Sequence, residues 1–73
     1  MQVESDTQLR ILVNGEATDT GARTLAELIA GLGFAETQVA TAVNGDFVPR
    51  AARAATLLAP DDRIEIVAPR QGG

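Results

Sequence analysis

The sequence predicts an α+β domain in which one amphipathic helix covers one face of a mixed sheet of four or five strands. The chain has 73 residues, the size of one small domain. Short runs of strand-forming residues are separated by Asn-Gly pairs, which favour tight hairpin turns. A single stretch, residues 25–32, repeats apolar side chains at helical spacing. One helix and a few strands can bury their apolar sides only by packing as two layers.

The first two predicted strands form a hairpin. Residues 9–13, Leu-Arg-Ile-Leu-Val, are a short apolar run typical of a strand. Asn14 and Gly15 follow, and a type I′ turn needs positive φ at both central residues, which Asn and Gly tolerate best. Residues 16–20 are polar, so we expect the returning strand to lie at an edge of the sheet. Residues 1–8 are acidic and polar, and we expect them to form a flexible leader.

The helix is predicted from its start signal and its apolar stripe. Thr24 and Glu27 match a capping box, in which each side chain bonds a free backbone N–H at the helix start. The stripe has helical spacing and consists of Leu25, Leu28, Ile29 and Leu32. Gly31 and Gly33 end the helix, the second as a left-handed cap, and Phe34 is expected to pack beneath that end. We interpret the stripe as core, because so small a domain needs its one helix to cover its sheet.

A second hairpin is predicted in the middle of the chain. Residues 39–43, Val-Ala-Thr-Ala-Val, form the third strand, and Asn44 and Gly45 make another tight turn. Residues 47–48 are a short returning strand. That strand ends at Pro49, which has no N–H to give to a ladder and belongs at a sheet edge.

The remaining elements complete the predicted architecture. Residues 50–55 are rich in alanine and can form one helical turn, and residues 63–67 form the last strand after a Pro-Asp-Asp turn. We expect the first and last strands to be central and parallel, which is the arrangement called the β-grasp. The domain then spans residues 9–67. The last strand directs residues 68–73 into solvent as a flexible C-terminal tail.

Composition narrows the possible functions. The chain has no Cys and no His, which removes thiol nucleophiles, disulfides and the usual zinc ligands. The cations are all Arg and the net charge is −4, so the basic footprint of a nucleic-acid-binding protein is missing. We find neither a membrane-spanning run nor a signal peptide and expect a cytoplasmic protein. The sequence shows no combination of nucleophile and general base of the kind that an enzyme would need. Asp61 and Asp62 have no third metal ligand beside them, and we interpret the pair as a solvated turn.

The end of the chain, Gly72-Gly73, is the strongest functional candidate. A carboxylate on two residues without side chains is the least hindered acyl group that a protein can present, and glycine accepts backbone dihedrals that other residues avoid. Pro69, Arg70, Gln71 and Gly72 are expected to enter the channel of a partner enzyme, with Arg70 as the expected contact. The carboxylate of Gly73 is the group expected to react.

Four segments of the chain occur together in one known family. They are Val-Asn-Gly at 13–15, the helix at 25–32, Val-Asn-Gly-Asp-Phe-Val-Pro-Arg at 43–50, and the end of the chain from 64 to 73. In these segments the chain resembles the ThiS family, the sulfur carrier proteins of thiamine biosynthesis. The most specific pieces are Asn-Gly-x-x-Val-Pro-Arg and the terminal Gln-Gly-Gly. The resemblance extends over residues 9–73.

The resemblance implies a ubiquitin-like β-grasp carrier rather than an enzyme. In that family a ThiF-type adenylating enzyme, which is similar to ubiquitin-activating enzymes, uses ATP to adenylate the C-terminal carboxylate, here that of Gly73. A sulfur donor converts the acyl-adenylate to a thiocarboxylate, and thiazole synthase takes the sulfur into the thiazole ring of thiamine. The carrier itself is expected to bind no cofactor and no metal, to contact no nucleic acid or membrane, and to be a monomer.

Other hypotheses share parts of this pattern. The small subunit of molybdopterin synthase carries sulfur on the same fold and tail for the molybdenum cofactor, and only the acceptor enzyme differs. A ubiquitin-like protein modifier would instead join Gly73 to a lysine of a target protein. A non-covalent interaction module of this fold would not need the terminus. Arg50 and Arg53 are expected either to contact a partner or to be solvated charges.

Overall fold

The computed structural model describes residues 8–68, and in them five strands form one mixed sheet beside a short α-helix. Residues 1–7 and 69–73 lie outside the described part of the chain, and with them most of the predicted leader and tail. The strands and the helix are β1 (Leu9–Val13), β2 (Glu16–Thr20), α1 (Leu25–Gly31), β3 (Ala40–Val43), β4 (Asp46–Val48) and β5 (Arg63–Val67). Two 3₁₀ helices, Glu36–Gln38 and Arg50–Ala55, complete the connections.

The first and last strands lie side by side in the middle of the sheet. The strand order is β2-β1-β5-β3-β4. β1 and β5 are parallel, with Leu12 opposite Arg63 and Val13 opposite Ile64. The other neighbouring strands are antiparallel. The predicted β-grasp is therefore confirmed, with five strands and with the polar β2 at one edge.

Both predicted hairpin turns have the backbone geometry that their Asn-Gly pairs favour. In the first turn φ is 50° at Asn14 and 87° at Gly15, and in the second it is 53° at Asn44 and 89° at Gly45. Positive φ at both central residues is the mark of a type I′ turn, whose twist matches that of the flanking strands. The two turns thus fix the registers of the β1–β2 and β3–β4 hairpins locally.

The helix begins at the predicted capping box. The Thr24 side chain accepts a hydrogen bond from the Glu27 N–H at 3.2 Å, and the Glu27 carboxylate accepts one from the Arg23 N–H at 2.8 Å. The helix ends at Gly31, and Gly33 adopts the predicted left-handed conformation with φ of 88°. Among residues 8–68, no helix is both long and apolar enough to cross a lipid bilayer.

The core lies between α1 and the inner face of the sheet. Its buried side chains are Ile11, Leu25, Leu28, Ile29, Val48, Ile64 and Ile66. Phe34 packs against this cluster, as predicted. Leu32 does not belong to it, and its inclusion in the buried stripe was wrong. The helix ends one residue earlier, so Leu32 serves as the helix C-cap and remains 43% exposed.

Arg53 is buried, which corrects the expectation of a solvated or partner-binding charge. Only 4% of the residue is exposed. Its guanidinium donates to the Thr41 hydroxyl at 3.1 Å and to the carbonyls of Glu36 and Val39, each at 2.8 Å. The Thr41 hydroxyl in turn donates to the Val48 carbonyl at 2.9 Å. Arg53 therefore ties the two 3₁₀ helices and the start of β3 to the inner face of the sheet.

We expect Arg53→Ala to lower the free energy of unfolding by about 3 kcal/mol, because three acceptors lose a charged donor and a void replaces the side chain. A chain of this length is stable by roughly 4–11 kcal/mol, so the loss is large. Urea unfolding measures it. The exposed Arg23 provides the control, and its Ala variant should stay within about 0.5 kcal/mol of the original chain. Equal effects of the two substitutions would contradict the structural role of Arg53.

Candidate functional site

The functional candidate from the sequence, the C-terminal segment 69–73, continues directly from the central strand β5. Its predicted site residues Pro69, Arg70, Gln71, Gly72 and Gly73 all lie outside the described residues. What the structure does place is the point from which they start. β5 ends at Val67, and Ala68 is the last described residue. The site is therefore analysed as the end of β5 and the surface around it.

Asn14 holds the end of β5 from the side of β1. Its side-chain oxygen accepts a hydrogen bond from the Ile66 N–H at 2.8 Å, and its side-chain nitrogen donates to the Ile66 carbonyl at 3.1 Å. The Asn14 backbone N–H still donates to the Ile64 carbonyl at 2.8 Å, as in an ordinary parallel ladder. One asparagine thus extends the β1–β5 pairing past the point where β1 turns away.

Asn44 makes a similar contact at the opposite end of β5, from the side of β3. Its side-chain oxygen accepts from the Arg63 N–H at 2.9 Å, and its backbone N–H donates to the Arg63 carbonyl at 2.7 Å. Its side-chain nitrogen donates to the Asp62 carboxylate at 2.9 Å, which also accepts from the Ala59 N–H at 2.8 Å. Asp62 is therefore a structural acceptor, in contrast to the solvated turn that the sequence predicted.

The hydrogen bonds from the side chains of Asn14 and Asn44 to β5 were not predicted from the sequence. Both asparagines were recognised as turn residues, and nothing local to the turns indicated a contact with β5. The usable signal is the residue type, because Asp and Gly also suit these turns but neither offers both a donor and an acceptor at neutral pH. Of the three predicted arginine contacts, Arg70 lies outside the described residues, Arg50 is exposed at the start of its 3₁₀ helix, and Arg53 belongs to the interior.

The side of the sheet away from the helix carries a set of exposed or partly exposed apolar side chains. Side chains directly opposite each other in neighbouring strands share one face, and the registers pair Leu12 with Ala17, Ala42 with Phe47, and Ala40 with Val67. We call this the outer face, and it comprises Leu12, Ala17, Ala40, Ala42, Phe47 and Val67. Phe47 is 68% exposed and Val67 is 62% exposed. The face thus ends in Val67, next to the C-terminal segment.

Charged side chains interrupt and border the outer face. Arg63 and Glu65 alternate with the buried isoleucines of β5 and so lie on the outer side. Arg10 donates to Asp19 at 2.6 Å across the β1–β2 hairpin, the only ion pair among residues 8–68. That hydrogen bond and, second, the Asp19 charge raise the pKa of Arg10. On the outer face, apolar side chains of the flanking strands therefore lie on either side of the charged pair on the central strand β5, a mixed composition suited to specific docking.

The fold and this strand end define a class of protein, the ubiquitin-like β-grasp proteins, whose central last strand leads into the C-terminus. Within that class, the sequence model of the ThiS family matches residues 7–73, and the chain belongs to the ThiS family. Membership of this family supports a sulfur carrier role. It also favours thiamine biosynthesis over the molybdenum cofactor and protein-modifier hypotheses.

Solved structures of similar proteins agree with this assignment. A crystal structure of the thiamine biosynthesis protein ThiS from Geobacter metallireducens is 29% identical, has a TM-score of 0.74, and matches over 89% of this chain and 100% of that one. A solution NMR structure of a thiamine biosynthesis protein from the same organism is 30% identical with a TM-score of 0.73, over 89% of this chain and 88% of that one. No curated protein sequence gave a significant match.

We expect Phe47→Ser to leave the free energy of unfolding within about 0.5 kcal/mol of the original value, because Phe47 projects from the outer face into solvent. Its neighbour Val48 lies on the inner face and is 8% exposed, so Val48→Ala should cost about 2 kcal/mol. Chemical unfolding of the two variants measures the difference. A large loss for Phe47→Ser would show that the outer face supports the fold and is not free for docking.

Proposed function

We propose that this protein carries sulfur as a thiocarboxylate on the carboxyl group of Gly73 and delivers it for the thiazole ring of thiamine. The observation that carries the proposal is the position of β5. It is the central strand of a β-grasp domain of the ThiS family, and it ends at the exposed Val67 of the outer face, six residues before Gly73. A carrier needs such a fixed body, a surface for its partners, and a reactive terminus near that surface.

The chemistry requires activation by a partner. A carboxylate is a poor electrophile, since resonance stabilises it and oxide is a poor leaving group. A ThiF-type adenylating enzyme would let a carboxylate oxygen of Gly73 attack the α-phosphorus of ATP, with loss of pyrophosphate. A sulfur donor at the oxidation level of sulfide would then attack the acyl carbon, form the C–S bond and release AMP. The resulting thiocarboxylate keeps a nucleophilic sulfur without requiring a cysteine of the carrier, and the chain contains none.

The length of the C-terminal segment is consistent with activation of Gly73 by a partner enzyme. Five residues follow Ala68, and fully extended they span at most about 18 Å. A buried adenylation site can therefore be reached only when the body of the carrier docks close to its entrance. Val67 belongs to the outer face and is also the last residue of β5, six positions before Gly73, so docking at the outer face brings Gly73 to the entrance. Docking makes the insertion of the terminus an intramolecular event with a raised effective concentration.

The outer face is accordingly proposed as the docking surface for the adenylating enzyme. Its most exposed large apolar side chain is Phe47, and aromatic side chains are enriched among residues that dominate binding energy. The carrier has a net charge of −4, so the partner surface should combine an apolar pocket with basic side chains at its rim. Thiazole synthase would use the same terminus in a later, separate encounter.

Incubation with the cognate adenylating enzyme, ATP and a sulfide source should raise the intact mass by one sulfur-for-oxygen exchange, about 16 Da. A variant lacking Gly73 should fold normally and gain no sulfur, because its terminal carboxylate falls one residue short of the catalytic position. In cells whose other carriers are absent, that variant should cause a requirement for thiamine. Growth without thiamine, or a ladder of protein conjugates in place of the mass shift, would contradict the proposed function.

Phe47→Ser should raise the KM of the adenylating enzyme for the carrier by about ten-fold or more, because it removes the most exposed large apolar side chain of the outer face while the reacting terminus is unchanged. Leu57 is the matched control. It is 73% exposed, but it pairs with Thr24 beside the start of α1, in the layer opposite the outer face. Leu57→Ser should leave KM within about two-fold of the original. Steady-state adenylation kinetics distinguish the two, and equal effects would exclude the outer face as the docking surface.

A further inference from the structure

A groove lies between the edge strand β2 and the helix α1. One wall is formed by residues 18–22, and the other by Glu27, Leu28, Gly31 and Leu32. Its volume is about 330 Å³, within the range of clefts that bind ligands. Leu28 gives the groove an apolar lining, and Gly31 leaves it open, because a Cβ placed there would meet no atom within 4 Å. The groove can therefore admit a side chain from outside the domain.

The β2 wall of the groove is an open edge of the sheet. The residues next to a two-residue turn, here Val13 and Glu16, form a hydrogen-bonded pair, and such pairs alternate with non-bonded pairs along an antiparallel hairpin. Ala17 and Asp19 belong to the non-bonded pairs, so their backbone N–H and carbonyl groups point away from β1. Within residues 8–68, no backbone hydrogen bond from another element reaches these groups. β2 therefore offers two donors and two acceptors to a further strand.

The opposite edge of the sheet is better protected against such pairing. β4 has three residues and is followed by Pro49, which has no backbone N–H. β2 has five residues and contains no proline. Short strands, proline and charged side chains are the means by which proteins protect an edge from unwanted pairing. β2 has only the last of these, so its charges decide which segment can pair with it.

Those charges are acidic. The two charged residues that line the groove are Asp19 and Glu27. Asp19 is paired with Arg10 across the hairpin, whereas the exposed Glu27 accepts a hydrogen bond from the Arg23 backbone N–H and makes no ion pair within residues 8–68. The whole chain also carries a net charge of −4. A segment with Lys or Arg side chains is therefore favoured, and an acidic segment is repelled.

This charge also disfavours the beginning of the chain itself as the occupant. Gln8 lines the groove, so residues 1–7 start close to it. They contain Glu4 and Asp6 and neither Lys nor Arg. Like charges next to Glu27 would oppose their entry, which leaves the groove to a segment of another protein.

We propose that β2 and α1 form a docking groove for an extended, basic segment of a partner protein, which adds to the sheet as a sixth strand. The backbone of the segment pairs with Ala17 and Asp19. An aliphatic side chain of the segment occupies the space between Leu28 and Gly31, and a neighbouring Lys or Arg approaches Glu27. In this mode of recognition the main-chain hydrogen bonds supply affinity, and alternate side chains supply specificity.

The groove is separate from the surface proposed for the adenylating enzyme. Thr18, which lines the groove, lies opposite the buried Ile11 and so faces the helix side of the sheet. β2 is also at the edge farthest from β4, the strand that carries Phe47. The protein can thus hold a basic segment in the groove while Phe47 stays accessible. The inference goes beyond the proposed sulfur carriage, and its test requires no sulfur transfer.

The experiment titrates the full chain with the peptide Lys-Thr-Val-Thr-Val-Thr-Lys, blocked at both ends, whose Lys and Val side chains share one face when it is extended. We expect NMR titration at low salt to give a Kd of about 1 mM or tighter. The amides of Ala17 and Asp19 should exchange rapidly in the free chain and at least about five-fold more slowly near saturation. A matched peptide with Glu in place of both Lys should bind at least about five-fold more weakly.

Two leucine variants of α1 test the position of the groove. Gly31 does not have positive φ, so Gly31→Leu is compatible with the backbone and fills the groove. Ala30→Leu is the matched control, because Ala30 is the exposed neighbour of Gly31 and does not line the groove. The first variant should weaken binding of the Lys peptide at least about ten-fold, and the second should stay within about two-fold of the original.

Glu27→Gln tests the charge without altering the helix start, because Gln retains an acceptor for the Arg23 N–H. It should reduce the preference for the Lys peptide over the Glu peptide. Should Gly31→Leu fail to fold, this variant decides the matter, and an unchanged preference would overturn the inference. No binding of the Lys peptide at about 1 mM, binding without protection of Ala17 and Asp19, or equal effects of two folded leucine variants would also overturn it. Slow exchange of both amides in the free chain would do the same, since the edge would already be covered.

Discussion

The parallel pairing of β1 with β5 is the interaction on which the rest of the structure depends. It joins the first and last strands, with Val13 opposite Ile64, and places both in the centre of the sheet. Parallel neighbours require a crossover, and here α1 lies within it and covers the buried Ile11 and Ile64. Because β5 is flanked by β1 and β3, the strand has a hydrogen-bonded neighbour on each side. A strand at the edge would leave one side of this connection unpaired.

This constraint links the fold to the proposed function. A carrier that is processed by other enzymes must keep a fixed relation between the surface they bind and the group they modify. The central position of β5 gives such a relation, because the strand contributes Val67 to the outer face and then leads to the terminus. The two asparagine side chains reinforce it at opposite ends of β5, through Ile66 on one side and Arg63 on the other. The inner face, by contrast, contributes its side chains to the buried core.

Much of the fold could be predicted because it depends on local chemistry. The Asn-Gly turns require positive φ wherever they occur, and the Thr24 cap acts within one turn of its helix. The error at Leu32 arose because periodicity marks a face of a helix and does not state where the helix ends. Burial of Arg53 could not be foreseen, since its acceptors are carbonyls of an irregular segment whose path depends on tertiary packing.

The candidate site could be predicted from the sequence only in part. The family resemblance carried the expectation about Gly73, and that expectation stays a prediction, because residues 69–73 lie beyond the described part of the chain. The outer face and the contact between Asn14 and Ile66 were not foreseen, because both depend on the register between strands that are distant in sequence. Turn propensity accounts for the backbone of Asn14, and only the three-dimensional pairing reveals what its side chain does.

The central claim is that the body of this protein presents a terminal thiocarboxylate from which sulfur is passed on. The most direct measurement is single-turnover transfer of labelled sulfur from the purified thiocarboxylated carrier to the product of thiazole synthase. The account predicts that label leaves the carrier and appears in the thiazole in equal amount, while the carrier regains its free carboxylate. Label that remains on the carrier, or is lost without entering the ring, would contradict it.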